Sequence, residues 1–254
     1  MKVEIFIVGE QKCGTTALHK FLTQHPQIKS GKQKEIDFFS YDGMYNKGID
    51  YYHSFFKLSI YEKYVKKVKC IDASPSYLSS GHKTVERLYN YNKKANIIIM
   101  LRNPIDRAFS AYMMYKNRFK DGNFSWWFDW MKSRGVLKNN VIRRNENSYT
   151  SFHYFIEEEL KAYGLNMEIE CPVLSYGLYY ENIKGFENYF ENVIIINKDD
   201  LSKNLESTLS LLTKKLNIKD YDWNMIKKRK VFEGNYDEVL KQKTKLLLEK
   251  FYLD

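Results

Sequence analysis

The chain is poor in the residues that mark several protein classes. Three cysteines in 254 residues (Cys13, Cys70 and Cys171) are odd in number and widely spaced. They frame no disulfide scaffold and no paired metal pattern; they fit a reducing compartment, and a cytoplasmic location is expected. Four prolines and twelve glycines exclude collagen-like and proline-rich architectures. The five histidines, at 19, 25, 53, 82 and 153, include no His-x-x-x-His pair, so no metal site is expected. No apolar run approaches about 18 residues, which argues against a membrane span. Residues 3–8 (VEIFIV) are too short for the apolar core of a signal peptide and lack a small-residue cleavage site.

What the chain has is length, apolar content and positive charge. Apolar residues make up 44%, too many for a disordered protein, and 254 residues can bury the core of one α/β domain. The 41 Lys and Arg outnumber the 31 Asp and Glu, giving a formal net charge of +10 that favours an anionic partner. The bases and the 21 tyrosines are scattered along the chain. A nucleic-acid-binding module would gather them on one surface, so no nucleic acid partner is expected.

Hydrophobic patterning sketches the fold. Residues 3–8 read as a strand, followed by a glycine-containing loop and by helical spacing at Thr15, Leu18, Phe21 and Leu22. Residues 95–101 (ANIIIML) form a continuous apolar run of the kind that a doubly covered parallel strand shows. Pro104 stands where a first helical turn tolerates proline, and residues 193–196 read as a third buried strand after a helix at about 178–190. Helices are expected at 202–216 and 236–250, and 121–150 has no clear period. The expectation is an α/β fold: a single domain, 1–254, with a central parallel sheet flanked by helices, a P-loop-like phosphate-binding loop after the first strand, and an acceptor-side insertion around 121–175.

The first loop carries chemistry. In Gly9-Glu10-Gln11-Lys12-Cys13-Gly14-Thr15-Thr16 the two glycines have the spacing of G-x-x-x-x-G-K-[ST], but Thr15 occupies the lysine position and the lysine lies inside the loop, at Lys12. Backbone N–H groups at a helix N-terminus and the helix dipole together suit an anion. On glycine spacing alone, a P-loop kinase or another ATP-binding protein is the alternative.

The run QKCGTTALHKFLTQHPQI resembles the 5′-phosphosulfate loop of sulfotransferases that use 3′-phosphoadenosine 5′-phosphosulfate (PAPS). The resemblance implies that Lys12 contacts the sulfonate and the bridging oxygen, that Gly14, Thr15 and Thr16 wrap the 5′-phosphate, and that Gln11, Cys13 and Ala17 belong to the same cofactor-binding loop. The sequence Arg102-Asn103-Pro104-Ile105-Asp106-Arg107-Ala108-Phe109-Ser110 resembles the family's 3′-phosphate motif, with Arg102 and Ser110 toward one phosphate; a guanidinium fork matches phosphate oxygens. The segments KEIDFF (34–39), ASPSYL (73–78) and YGLYY (176–180) are similar to those of heparan-sulfate-type carbohydrate sulfotransferases and their bacterial relatives. Tyr176 thereby joins the cofactor set, as do Arg229 and Lys230 from a basic loop before the last helix. Two positions depart from the family pattern: Asp37 stands where some relatives carry histidine, and Ala73 where some carry lysine.

The chemistry implied is in-line sulfuryl transfer from PAPS to a hydroxyl or amine of a carbohydrate-like acceptor, with adenosine 3′,5′-bisphosphate as product. Positioning and positive charge do most of the work in such a displacement, as in phosphoryl transfer, without a required metal. The catalytic residues expected are Lys12, opposite the leaving phosphate; Glu35, as general base; and Asp37, either orienting a sugar hydroxyl or capping a turn. Phe38 and Phe39 are expected to desolvate Glu35 in part. Trp126, Trp127 and Trp130 read either as sugar-stacking residues or as an anchor for the insertion.

Overall fold

Residues 5–9 become β1 (Ile5–Gly9), buried at every position, as a strand covered on both faces must be. A computed structural model of the chain describes residues 2–225 and 236–253. After β1 come β2 (Ile28–Ser30), β3 (Lys69–Ala73), β4 (Asn96–Leu101), β5 (Val141–Ile142), β6 (Glu168–Ile169) and β7 (Val193–Asn197). Five of them form one parallel sheet in the order β2-β3-β1-β4-β7, and β5 pairs with β6 apart from it.

The contacts divide the chain into two compact units. One runs to Arg102 and resumes at Tyr180; the other comprises Asn103–Tyr179 and the C-terminal stretch from residue 236. Where one domain with an insertion at 121–175 is expected, that segment lies inside the second unit, together with the long helix Pro104–Lys120 and the last helix, Gln242–Leu253.

In the first unit β1 alternates between two cores. Phe6 and Val8 face a layer with Phe38, Phe39, Tyr52, Tyr77 and Phe186. Ile5 and Ile7 face Leu18, Leu22, Leu209 and Leu212 on the other side. This is the period of two that a strand imposes. β1 has β3 on one side and β4 on the other, so the chain reverses its direction of travel across the sheet at β1. In open α/β sheets, ligands bind beyond the carboxyl ends of the strands at such a point.

The three expected strands are present, as β1, β4 and β7, but β7 is not the buried strand expected: it lies at the sheet edge, where Ile196 is buried and Ile195 is exposed. β2 and β3 show no continuous apolar run: β2 has only three residues, and β3 (KCIDA) carries Lys69 and Asp72. The helix expected at 202–216 is two, Lys198–Lys203 and Leu205–Lys215, because Asn204 leaves helical geometry at φ −126 and ψ 45. The last helix begins at Gln242 rather than 236. The segment without a clear period contains the helix Trp126–Ser133.

Within the second unit Trp127 is buried, while Arg118 and Arg134 lie over the rings of Trp126 and Trp130, at 4.1 Å and 4.2 Å. This is the arrangement of an anchor.

Candidate functional site

The loop after β1 is tied to β4 at its start, where the Glu10 N–H donates to the Met100 carbonyl at 2.8 Å. Lys12 then turns through φ +68, and Gly14, at φ +93, caps the helix Thr15–Leu22. No side chain caps that helix and its first turn has no acidic residue. The amide donors of a first turn have no partner within the helix, so here they are offered to the loop, the arrangement that binds phosphate. Thr15 is buried, and Gln11, Lys12, Thr16 and Ala17 are half-buried. Cys13 is buried, its thiol directed at the Gln11 carbonyl.

Arg102 follows the end of β4, and its Nη1 donates to the Lys12 carbonyl at 3.5 Å. The two charged residues expected from separate motifs thus meet. Lys198, absent from the expected set, belongs with them. Leu101 and Asn197 are register partners, so Arg102 and Lys198 each stand one place beyond adjacent strand ends. The Lys198 stem lies 3.5 Å from where a Cβ on Gly14 would sit. A base shortly after an apolar β-branched run was the signal available in the sequence, and it points to Lys198 as it does to Arg102.

Glu35 and Asp37 lie on a loop bound to the end of β3. The Glu35 N–H donates to the Ala73 carbonyl at 3.1 Å, and Ala73 pairs with Ile7 of β1. Both residues have left-handed backbone, at φ +62 and +55. The Glu35 side chain is 47% exposed and its carboxylate pairs with the Lys34 ammonium. The desolvation expected from Phe38 and Phe39 is not found, because both rings turn into the core against Tyr52. Asp37 is 1% exposed and accepts a hydrogen bond from Ser76 Oγ at 2.6 Å. That is the turn-stabilising arrangement of its two expected roles.

Nearby, His19 Nε2 lies 2.9 Å from Ser30 Oγ. Burial, with Lys34 and Lys20 adding to it, pushes the imidazole down to about 4, so it is neutral at pH 7.

The second unit holds the other expected residues. Ser110, in the helix Pro104–Lys120, is buried with its Oγ 2.8 Å from the Tyr236 hydroxyl. Tyr176 sits in the short turn Ser175–Gly177, with the Arg107 guanidinium 5.9 Å from its ring centre. Arg229 and Lys230 lie outside the described residues. Among the described residues no cluster of three or more His, Cys, Asp or Glu could hold a metal, and no helix is long and apolar enough to cross a membrane.

A family model described as the sulfotransferase domain matches residues 2–244. The membrane-associated sulfotransferase kil1 of Dictyostelium discoideum is 26% identical over 89% of this chain and 58% of its own length. Human heparan sulfate glucosamine 3-O-sulfotransferase 5 is 36% identical over 42% of this chain and 29% of its own. The chain thus spans less than two thirds of the length of either relative. Among solved structures, a sulfotransferase from Alicyclobacillus acidocaldarius matches with a TM-score of 0.68 at 25% identity, covering 100% of this chain and 92% of that one.

Proposed function

We propose, for a chain that belongs to the sulfotransferase domain family, that it moves a sulfuryl group from PAPS to a hydroxyl or amine of a carbohydrate acceptor and releases adenosine 3′,5′-bisphosphate. One observation carries the reading. The helix N-terminus at Thr15, which has no side-chain cap, the Lys12 loop and the Arg102 guanidinium converge at the carboxyl edge of β1 and β4. That cradle suits a phosphate-bearing donor and lacks the Lys-[ST] pair with which a kinase loop holds its nucleotide and magnesium.

In this mechanism the first-turn amides, with Thr15 and Thr16, hold the 5′-phosphate. Lys12 places its ammonium where negative charge grows as the sulfur–oxygen bond breaks, a stabilisation larger in the transition state than in the bound donor. Arg102 takes the 3′-phosphate from the edge of β4, and Ser110 carries the serine of the 3′-phosphate motif. Glu35 accepts the proton from the attacking acceptor atom, and its exposure lets it meet an incoming polymer. The sulfur passes in line from the phosphate oxygen to the acceptor oxygen or nitrogen. The acceptor class rests on the heparan sulfate enzymes among the relatives and on the net charge of +10, which suits an acidic polysaccharide. A cytoplasmic location belongs to the same proposal, supported by a content of only three widely spaced cysteines.

The test is transfer of radiolabelled sulfate from PAPS to a cell-surface glycan extract, by the wild-type protein and by Glu35→Gln. Label should enter the polysaccharide fraction and fall by roughly 10²-fold or more in the variant. Incorporation of label from γ-labelled ATP but not from PAPS would overturn the reading.

A further inference from the structure

One buried carboxylate takes no part in this mechanism. Asp72, on β3 opposite Phe6, is 2% exposed. A valine or isoleucine there would fill a core strand without the penalty of burying a charge.

The hydrogen bonds around Asp72 have a direction. Its Oδ2 accepts from the Tyr52 and Tyr77 hydroxyls, each at 2.8 Å, and its Oδ1 accepts from Ser74 Oγ at 2.8 Å. Ser74 is fully buried, and its oxygen in turn accepts the Asp37 N–H at 3.1 Å. A serine has one proton. With that proton committed to Asp72, only lone pairs remain for the amide.

The amide belongs to the loop that carries Glu35. Left-handed backbone costs a residue with a side chain about 1–2 kcal/mol, and this loop has it at both Glu35 and Asp37. Its hold on β3 therefore decides where the Glu35 carboxylate stands. Besides the Asp37–Ser74 bond, the loop is tied down by the Glu35 N–H on the Ala73 carbonyl, by Ser76 Oγ on Asp37 Oδ1 and by the Ser40–Ser76 hydroxyl pair, among other contacts.

We propose that Asp72 is a positioning residue for Glu35, acting through Ser74: by holding the serine proton it keeps the serine oxygen an acceptor for the Asp37 amide. The inference rests on the proposed role of Glu35 as the base.

The relay works only while Asp72 is ionised. A proton on its carboxyl would displace one of three O–H donors, and a released Ser74 proton would face the Asp37 N–H, donor against donor. The groups facing Asp72 are Tyr52 from the helix Ile49–His53, Tyr77 from the helix Ser76–Ser79, Tyr91 from the helix His82–Tyr91, Ser74 beyond its own strand, and Asp37 from the loop. Burial lifts the Asp72 carboxyl to about 6, and the Asp37 charge adds to the rise. Turnover should therefore fall as the pH drops through about 6.

The experiment compares wild type, Ser74→Ala, Asp72→Asn and Glu35→Gln, using PAPS with the glycan fraction labelled above, together with calorimetry of adenosine 3′,5′-bisphosphate. Ser74→Ala and Asp72→Asn should each lower kcat about 10-fold or more while nucleotide affinity stays within about twofold. Ser74→Ala should also lose the limb of the pH profile near 6, which a merely structural serine would leave in place. Unchanged kcat in Ser74→Ala, or parallel loss of kcat and nucleotide binding, overturns the proposal. If Ser74→Ala is normal while Glu35→Gln is inactive, the positioning role alone falls; if Glu35→Gln turns over normally, the base assignment falls and the relay with it.

Discussion

Two glycines of the first loop should respond to alanine in different ways. Gly14 is at φ +93, and a Cβ there would meet only Lys198 Cγ at 3.5 Å and Met100 Cε at 3.6 Å, ordinary contact distances. The penalty is therefore that of left-handed backbone, about 1–2 kcal/mol. At Gly9, φ +159, a Cβ would lie 2.5 Å from Leu78 Cβ and 2.9 Å from the Pro75 carbonyl oxygen. Neither is the free end of a flexible side chain, so overpacking of about 1–3 kcal/mol or more is added to the backbone strain. At roughly 2–4 °C per kcal/mol for a chain of this size, Gly14→Ala should lower Tm by about 2–8 °C and Gly9→Ala by clearly more. Binding should separate them further. Gly14 aims the first-turn amides, and alanine relaxing toward negative φ would turn them aside, so a folded Gly14→Ala should bind adenosine 3′,5′-bisphosphate at least about 10-fold more weakly. Thermal unfolding and calorimetry on both variants decide the matter. A Gly14→Ala that binds normally, or that loses more stability than Gly9→Ala, would refute the reasoning.

Further outcomes follow from the same geometry. Lys12→Ala should lower kcat more than nucleotide affinity, because in the proposed mechanism its ammonium meets charge that grows in the transition state; a raised KM with unchanged kcat in steady-state assays would make it a binding residue instead. Ser110→Ala should weaken adenosine 3′,5′-bisphosphate by the 1.5–3 kcal/mol or so of a hydrogen bond to a charged group, yet leave adenosine 5′-phosphate unaffected; equal losses by calorimetry would contradict the 3′-phosphate assignment. His19 should make stability sensitive to acid. Its folded value of about 4 lies below the ordinary 6.5, so the unfolded chain binds more protons between those values. The stability is full above about pH 6.5 and is lost toward pH 4, on the order of 2–3 kcal/mol. His19→Gln should flatten that slope in urea titrations; an unchanged slope would count against it. Sulfuryl transfer should also persist in EDTA, and an activity abolished by chelator and restored by magnesium would point to a kinase.

The parts of the site that are contiguous in sequence were legible: the strand, the Lys12 loop and the helix at Thr15 follow one another, and Arg102 closes an apolar run. What was not legible depends on partners remote in the chain. The burial of Asp37 is set by Ser76, 39 residues on. The exposure of Glu35 comes from left-handed turns at 35 and 37, which send Phe38 and Phe39 to the core, and no residue type at those positions signals them. β3 was obscured because its aspartate reads as a surface residue until Tyr52 and Tyr77 are found to enclose it. Lys198 went unread because its neighbour across the sheet, Arg102, is 96 residues away.

The position of β1 in the sheet has a consequence for biosynthesis. Ile5 pairs with Ile71 on one side and with Asn96 on the other, so the central strand emerges long before either neighbour. At about 5–20 residues per second, the ninety or so residues up to β4 take roughly 5–20 seconds to appear. Until β3 appears, an uncharged, proline-free run, IFIVG, has two open edges and no partner in register, and one edge stays open until β4, the kind of segment that pairs with other chains. β2 and β3 close one edge first, β4 the other, and β7 arrives last to cover β4. The chain is thus most exposed to aggregation while it is still on the ribosome, and substitutions that delay β3 or β4 should reduce the yield of soluble protein more than they reduce the stability of the finished fold.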